Sequence, residues 1–175
     1  MQEFDIRETE LNFFKLLAEN WGALTVKGAD GTVNAMTIAW GQYGCIWKKE
    51  GVQGFLPVAT TYVRQSRFSK PLMDSAEYFS ISFVTPENKK ALGFLGSKSG
   101  RDFDGKKIEA SGLTTAYYND VPYIAESSIV LVCRKVYAAP LPGDNFVDKQ
   151  IFQTCYADGD LHVEYVGEIV AALKA

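Results

Sequence analysis

Two arginines are three residues apart in Arg64-Gln65-Ser66-Arg67-Phe68-Ser69, interleaved with hydroxyls. A guanidinium offers a charged fork of N–H donors, a hydroxyl adds another, and a helix start supplies free backbone N–H groups. A phosphate needs that chemistry. The same spacing also suits a capped surface helix with two solvated arginines, so the residues alone leave both readings open. A second stretch, Gly96-Ser97-Lys98-Ser99-Gly100-Arg101-Asp102, combines glycines that permit close backbone approach with Ser and Lys donors. It lacks the G-x-x-x-x-G-K-[ST] spacing of a P-loop. It reads either as a ligand-closing loop or as ordinary surface.

Two further segments carry apolar or titratable chemistry. In Val33–Gly41, strand alternation puts Asn34, Met36, Ile38 and Trp40 on one face and Ala35, Thr37 and Ala39 on the other. Such a surface suits a flat heteroaromatic ring, and equally a half-buried barrel strand. His162, the only histidine, lies in Asp160–Ile169. It is a candidate acid, base or hydrogen-bond donor near neutral pH, or a plain edge-strand residue. One histidine without matching Cys spacing builds no zinc site.

Composition narrows the classes. With 47% hydrophobic and 22% charged residues, the chain can bury a core. Its net charge is -3 and it has no Lys/Arg-rich run, which argues against nucleic-acid or anionic-membrane partners. Met1–Glu10 is polar and acidic, unlike a secretory leader, and no apolar run approaches the roughly 20 residues of a membrane span. Cys45, Cys133 and Cys155 are odd in number and widely spaced, which fits reduced packing thiols and a cytoplasmic location. There is no G-x-G-x-x-G for a nicotinamide-binding Rossmann domain and no G-x-S-x-G for an α/β-hydrolase.

These residues need elements to position them. Leu11, Phe14, Ala18 and Trp21 predict an amphipathic helix, about 8–21, stopped by Gly22. Leu24–Lys27 and Thr32–Trp40 read as a hairpin through Gly28–Gly31, and Val58–Arg64 as another strand. Ser66 caps a short helix toward Ser75 in this reading, with Pro71 tolerable only if it sits early. Tyr78–Val84 alternates as a strand, Thr85-Pro86 starts a helix, and Gly96 ends it as a left-handed cap. Thr114–Tyr118, Pro122–Glu126, Ser128–Ala139 and Leu161–Ile169 complete the strands, with a helix near Asn145–Phe152. Strands follow strands without regular βαβ alternation, which favours an antiparallel barrel.

Taken in order, Asn34–Gly41, Tyr62–Ser69, Phe79–Phe83, Gly96–Asp102 and Asp160–Ile169 resemble the flavin reductase-like family, especially its flavoredoxin-like branch. The resemblance spans about residues 24–169. It implies a mainly β fold with peripheral helices: a six-stranded antiparallel Greek-key split barrel of the FMN-binding type. The whole chain, 1–175, would be one such domain, working as a homodimer with FMN near the subunit interface.

Carried over by resemblance, Asn34, Ala35, Met36, Thr37 and Trp40 would line the flavin ring and ribityl chain. Arg64, Ser66 and Arg67 would hold the phosphate with Ser69 nearby, and Ser82 and Phe83 would approach the ring. Ser97, Lys98 and Ser99 would close over the cofactor, and His162 would be the catalytic residue where nicotinamide is received. The implied activity is NAD(P)H-dependent flavin reduction or electron transfer through bound FMN, with a possible redox partner protein. Three alternatives remain at this stage. One is an FMN electron carrier that does not itself oxidise NAD(P)H, and another is a pyridoxamine-phosphate-oxidase-like enzyme. The third is a non-catalytic ligand- or haem-binding barrel.

Overall fold

The computed structural model describes all 175 residues, Met1–Ala175. Ten strands form: β1 (Gln2–Phe4), β2 (Gly22–Lys27), β3 (Val33–Ile38), β4 (Gly41–Ile46) and β5 (Leu56–Arg64), then β6 (Tyr78–Val84), β7 (Thr115–Tyr118), β8 (Val121–Ile124), β9 (Ser127–Pro140) and β10 (His162–Lys174). The helices are α1 (Phe13–Lys15), α2 (Ser69–Ser75), α3 (Lys89–Ser97), α4 (Lys107–Ala110) and α5 (Lys149–Tyr156). No helix is long and apolar enough to cross a membrane.

One antiparallel sheet runs β3-β2-β6-β9-β10-β5-β4, with β1 added beside the far end of β10. Eight strands therefore join where six were expected. The additions are β1, which β10 reaches by being 13 residues long, and β4, which the sequence reading left unassigned. β7 and β8 form a separate hairpin. The sheet's edge strands, β3 and β4, are joined by Ala39 and Trp40 alone. The three Cα steps from Ile38 to Gly41 reach only about 10 Å, so the sheet must curl until its edges meet. No ladder joins β3 to β4, and the barrel is split there.

Curling needs local irregularity, and β10 has it in register shifts at Val166/Gly167 and Ile169/Ala171. Gly167 is required at the first: a Cβ there would sit 2.7 Å from that of Cys133 and 2.6 Å from the Phe79 ring. Leu24, Phe79, Ile81, Phe83, Leu131 and Tyr165 fill the interior. β2 is buried on both faces, because its other side packs under α3. There Ala23 and Ala35, both small, lie with Leu92, Leu95 and Ile108.

Several local expectations shift. The N-terminal helical stretch is Phe13–Asn20, its last residues a wider π-type turn, and it begins at Asn12, whose side chain accepts from the Lys15 N–H. Trp21 ends it at φ 62°, not Gly22, which already belongs to β2. Leu17 is the buried member, while Phe14 is 90% exposed, so the apolar face is rotated from the expected one. Gly96 lies inside α3 rather than capping it. Ser66 caps no helix: α2 starts at Ser69, with Pro71 early enough to be tolerated. The last helix is shifted to Lys149–Tyr156, capped by the Asp148 carboxylate, which accepts from the Gln150 N–H.

Candidate functional site

A cleft of about 150 Å³ opens between β3, the turn before α2, and the segment from the end of α3 to α4. Four cations line it: Arg67, Lys98, Arg101 and Lys107. Asn34, Ser66, Ser69, Ser97 and Ser99 add hydroxyl and amide groups, and no Asp or Glu lines it. On a chain of net charge -3, such local inversion defines an anion site.

The cleft is held from several directions. Asn34 Nδ2 donates to Ser69 Oγ at 2.8 Å, tying β3 to α2. Gly100 packs against that pair: a Cβ there would lie 2.5 Å from Asn34 Oδ1 and also collide with the Phe68 ring. The Arg101 guanidinium lies 5.7 Å above the Phe68 ring, and its contacts to the Ser66 carbonyl are long, at 3.4 Å. Arg67 makes a similarly long contact, 3.4 Å, to the Gly96 carbonyl. Both arginines therefore keep most of their donor capacity. Lys107 is 3% exposed, and its Nζ donates to the Ala35 carbonyl at 2.9 Å and the Leu95 carbonyl at 2.7 Å. Burial, and secondarily Arg67, pull its pKa down to about 8.

A second cleft, about 220 Å³, shares Met36, Thr37 and Arg67 with the first and continues along the split in the barrel. Ile38, Ala39, Trp40, Tyr62, Arg64 and His162 complete its lining. The His162 and Trp40 rings are 5.0 Å apart, tilted by 40°. His162 is 9% exposed, and its Nδ1 is hydrogen-bonded to the Tyr156 hydroxyl at 2.9 Å. Burial first, and then the neighbouring Arg64 charge, depress its pKa to about 4. The imidazole is thus neutral at physiological pH and acts there as a hydrogen-bonding group. Thr37 Oγ1 is committed to the Leu92 carbonyl.

Arg64 behaves differently from Arg67. It pairs opposite His162 in the β5–β10 ladder. Its Nη1 donates to both Asp158 carboxylate oxygens (3.2 and 3.1 Å) and to the Asp160 carbonyl (3.0 Å); its Nη2 donates to the Cys155 carbonyl (2.8 Å). Ser66 is similarly engaged. Its Oγ donates to Asp160 Oδ2 at 2.6 Å and its N–H to Asp160 Oδ1 at 3.0 Å. The Asp160 N–H, and then Arg64, hold the Asp158 carboxyl below its usual range. This corner fastens the α5–β10 turn to the end of β5.

Of the residues expected at the site, Asn34, Met36, Thr37, Ser66, Arg67, Ser69, Ser97, Lys98 and Ser99 line the first cleft. Met36, Thr37, Trp40, Arg64 and His162 line the second. Three groups are placed differently from the expectation. Ser82 and Phe83 are both buried, because β6 is a central strand between β2 and β9 with both faces covered: Phe83 packs in the barrel interior, and Ser82, on the opposite face, lies under β8, where its Oγ accepts from the Ile124 N–H at 3.1 Å. Ala35 is fully buried under α3 and presents only its carbonyl, to Lys107. The Arg64 guanidinium is already taken up by its own chain. The sequence reading missed Tyr62, Arg101 and Lys107 as site residues. Tyr62 shares a strand face with Arg64, and Arg101 was inside the polar loop, so both had a local signal. Lys107 had none.

A curled antiparallel sheet, split at the junction of its two edges, with an anion cleft running into an aromatic one, is the FMN-binding split-barrel architecture of flavin reductase-like proteins. The chain belongs to the flavin reductase like domain family, which it matches over residues 57–174. Solved structures agree on the fold. Flavoredoxin from Methanosarcina acetivorans is similar with a TM-score of 0.66 at 19% identity, over 100% of this chain and 76% of that one. An FMN-binding domain of a flavin reductases-like enzyme from Shewanella baltica has a TM-score of 0.65 at 17% identity, over 98% and 75%. An NADH:FAD oxidoreductase from Streptomyces globisporus C-1027 has 0.59 at 15% identity, over 89% and 74%. No curated protein matches the chain by sequence.

Proposed function

We propose that this chain is an FMN-binding oxidoreductase that takes electrons from NAD(P)H and passes them to free flavin or to another acceptor. The observation carrying this reading is the joined pair of clefts: four cations without a carboxylate at one end, Trp40 and His162 at the other, with Met36, Thr37 and Arg67 common to both. The residues fit the group. A phosphate finds Arg67, Arg101, Lys98, Ser69 and the Ser97–Ser99 hydroxyls, while Gly100 leaves the space that a side chain would close. Met36, Thr37 and Trp40 offer a flat, largely apolar wall to the ring. Bound there, FMN supplies two-electron acceptance and stepwise electron release.

The protein's part is position and electrostatics. Arg67 sits between the two clefts and orients the ligand. His162, neutral and held by Tyr156, offers a hydrogen bond at the ring end without adding charge. The proposal includes a single domain over 1–175 and a homodimer. It also places the protein in the cytoplasm, in keeping with three cysteines that form no disulfide.

The test is an absorbance spectrum of purified protein, with FMN added if none co-purifies, followed by anaerobic NADH and NADPH. Flavin bands that bleach with a nicotinamide support the reductase. Bands that persist until a donor protein is added make it an electron carrier, a reading favoured by its similarity to flavoredoxins. Failure to bind added FMN overturns the proposal.

A further inference from the structure

Tyr156 is the one buried residue of α5, 4% exposed at the end of a helix that is otherwise exposed or half-buried. Its ring packs against Phe146 and Phe152, with centroids 5.4 and 6.0 Å away, and the Arg64 guanidinium lies 5.6 Å over it. Arg64 also holds the helix end through the Cys155 carbonyl. This packing fixes the direction of one hydroxyl. It meets His162 Nδ1 at 2.9 Å, the two rings standing 5.5 Å apart at 79°.

That hydrogen bond can run in two directions, because a neutral imidazole carries one proton, on Nδ1 or on Nε2. With the proton on Nδ1, the imidazole donates to the phenol oxygen. The phenol's own proton is then stranded, since the hydroxyl has no other protein partner and the residue is almost sealed from water. With the phenol donating to Nδ1, no donor is stranded. Burial raises the Tyr156 phenol above its ordinary range and keeps its proton in place, while the His162 pKa of about 4 keeps the ring neutral. The imidazole proton therefore sits on Nε2. That nitrogen has no protein partner, and the sealed side-chain atoms without one belong to Thr25, Tyr43 and Thr61 alone, so Nε2 opens on the cleft that His162 lines.

We infer that Tyr156 is a positioning residue: its hydroxyl holds His162 in the Nε2–H form, so that the ring cleft presents an uncharged donor and selects an acceptor atom, a carbonyl oxygen or an aromatic ring nitrogen, on the molecule it binds. As to the ligand, the inference rests on the flavin and nicotinamide reading above; the place of the proton on His162 does not. Tyr156 lines neither cleft and acts through His162. Without its hydroxyl both tautomers are open, and Nε2 is a donor in one and an acceptor in the other. The ring end thus selects by hydrogen-bond polarity, where the cleft of Arg67, Lys98, Arg101 and Lys107 selects by charge.

His162 is the only histidine, so full-length protein carrying isotope-labelled histidine reports this ring alone in a proton–nitrogen resonance spectrum. At neutral pH the unmodified protein should show Nε2 protonated and Nδ1 bare and hydrogen-bonded. In Tyr156→Phe the two nitrogen shifts should converge toward the mixed-tautomer values of free imidazole. A proton on Nδ1 in the unmodified protein, or shifts that Tyr156→Phe leaves in place, overturn the assignment. A second measurement covers the case in which Tyr156→Phe does not fold. Protein made with fluorotyrosine, whose phenol is the stronger donor, should move Nδ1 more than Nε2, and the reverse or no movement counts against Tyr156. Adding FMN, and then oxidised NAD+ as an unreactive nucleotide, should shift the Nε2 resonance and slow exchange of its proton while Nδ1 changes little. An Nε2 resonance that neither molecule moves, with FMN bound, overturns the role in ligand selection. If the unmodified protein binds no FMN, the functional proposal fails, and the nitrogen spectrum still decides the assignment of Tyr156.

Discussion

Arg64 and Arg67 are three residues apart in the chain, yet they serve opposite purposes. Arg64 faces a corner in which the protein answers its own charge. Asp158, the Asp160 carbonyl and the Cys155 carbonyl occupy the guanidinium, and the Asp160 carboxylate takes Ser66. Arg67 faces a cleft with three more cations and no carboxylate. Where a chain neutralises its own charges, it is building structure. Where it gathers like charges and leaves them unanswered, it has left the answer to a ligand. Burial sharpens the contrast, because Lys107 accepts an uncompensated charge at 3% exposure.

The largest expected effect that probes this contrast is on the closed corner. His162 packs beside Arg64, and its folded pKa of about 4 lies below the ordinary 6.5. The unfolded chain therefore takes up the proton first as pH falls. Stability from this group is fully present above pH 6.5 and is lost toward pH 4, by about 3 kcal/mol at most. Urea denaturation across that range should show the slope, and His162→Gln should flatten it; an equally steep slope in the variant would assign the effect elsewhere.

Next in size, Arg67→Ala should weaken FMN by about 2 kcal/mol while leaving riboflavin within about 0.5 kcal/mol. Equal losses would mean that Arg67 touches only the shared part of the ligand. Arg64→Ala should do the reverse. It should cost about 1–2 kcal/mol of folding stability, by leaving the Cys155 and Asp160 carbonyls without their donor, and keep the FMN-to-riboflavin affinity ratio unchanged. A collapse of that ratio would erase the distinction between the two arginines. The smallest effect is at the rim: Lys98→Ala should lower FMN affinity by about 0.5 kcal/mol, and the difference should vanish as salt is raised.

Much of this was legible from local patterns. The Val33–Ile38 strand, the basic turn at Arg64–Ser69 and the Gly96–Asp102 loop stood out as candidates by residue type, the family resemblance assigned them to a ligand, and the structure brings parts of all three to adjoining clefts. Other features were not legible, each for a physical reason. β4 alternates weakly and is mostly exposed, so its sequence lacks the signature of a buried strand. Trp21 adopts positive φ beside a glycine that would do so more readily, a choice dictated by packing rather than propensity. The resemblance implied that Phe83 approaches the ring, but β6 lies mid-sheet and both its faces are covered.

The sequence by itself determined the antiparallel strand content and the stretches carrying donors for a phosphate, because these follow from short-range periodicity and residue chemistry; the order of its motifs carried the resemblance to the flavin reductase-like family. Only the tertiary structure decided which donors remain free. Arg64 meets Asp158 across 94 positions, and Lys107 meets the Ala35 carbonyl across 72. Whether a charge is spent or available depends on its partners in space, and the curling of one long sheet chooses those partners.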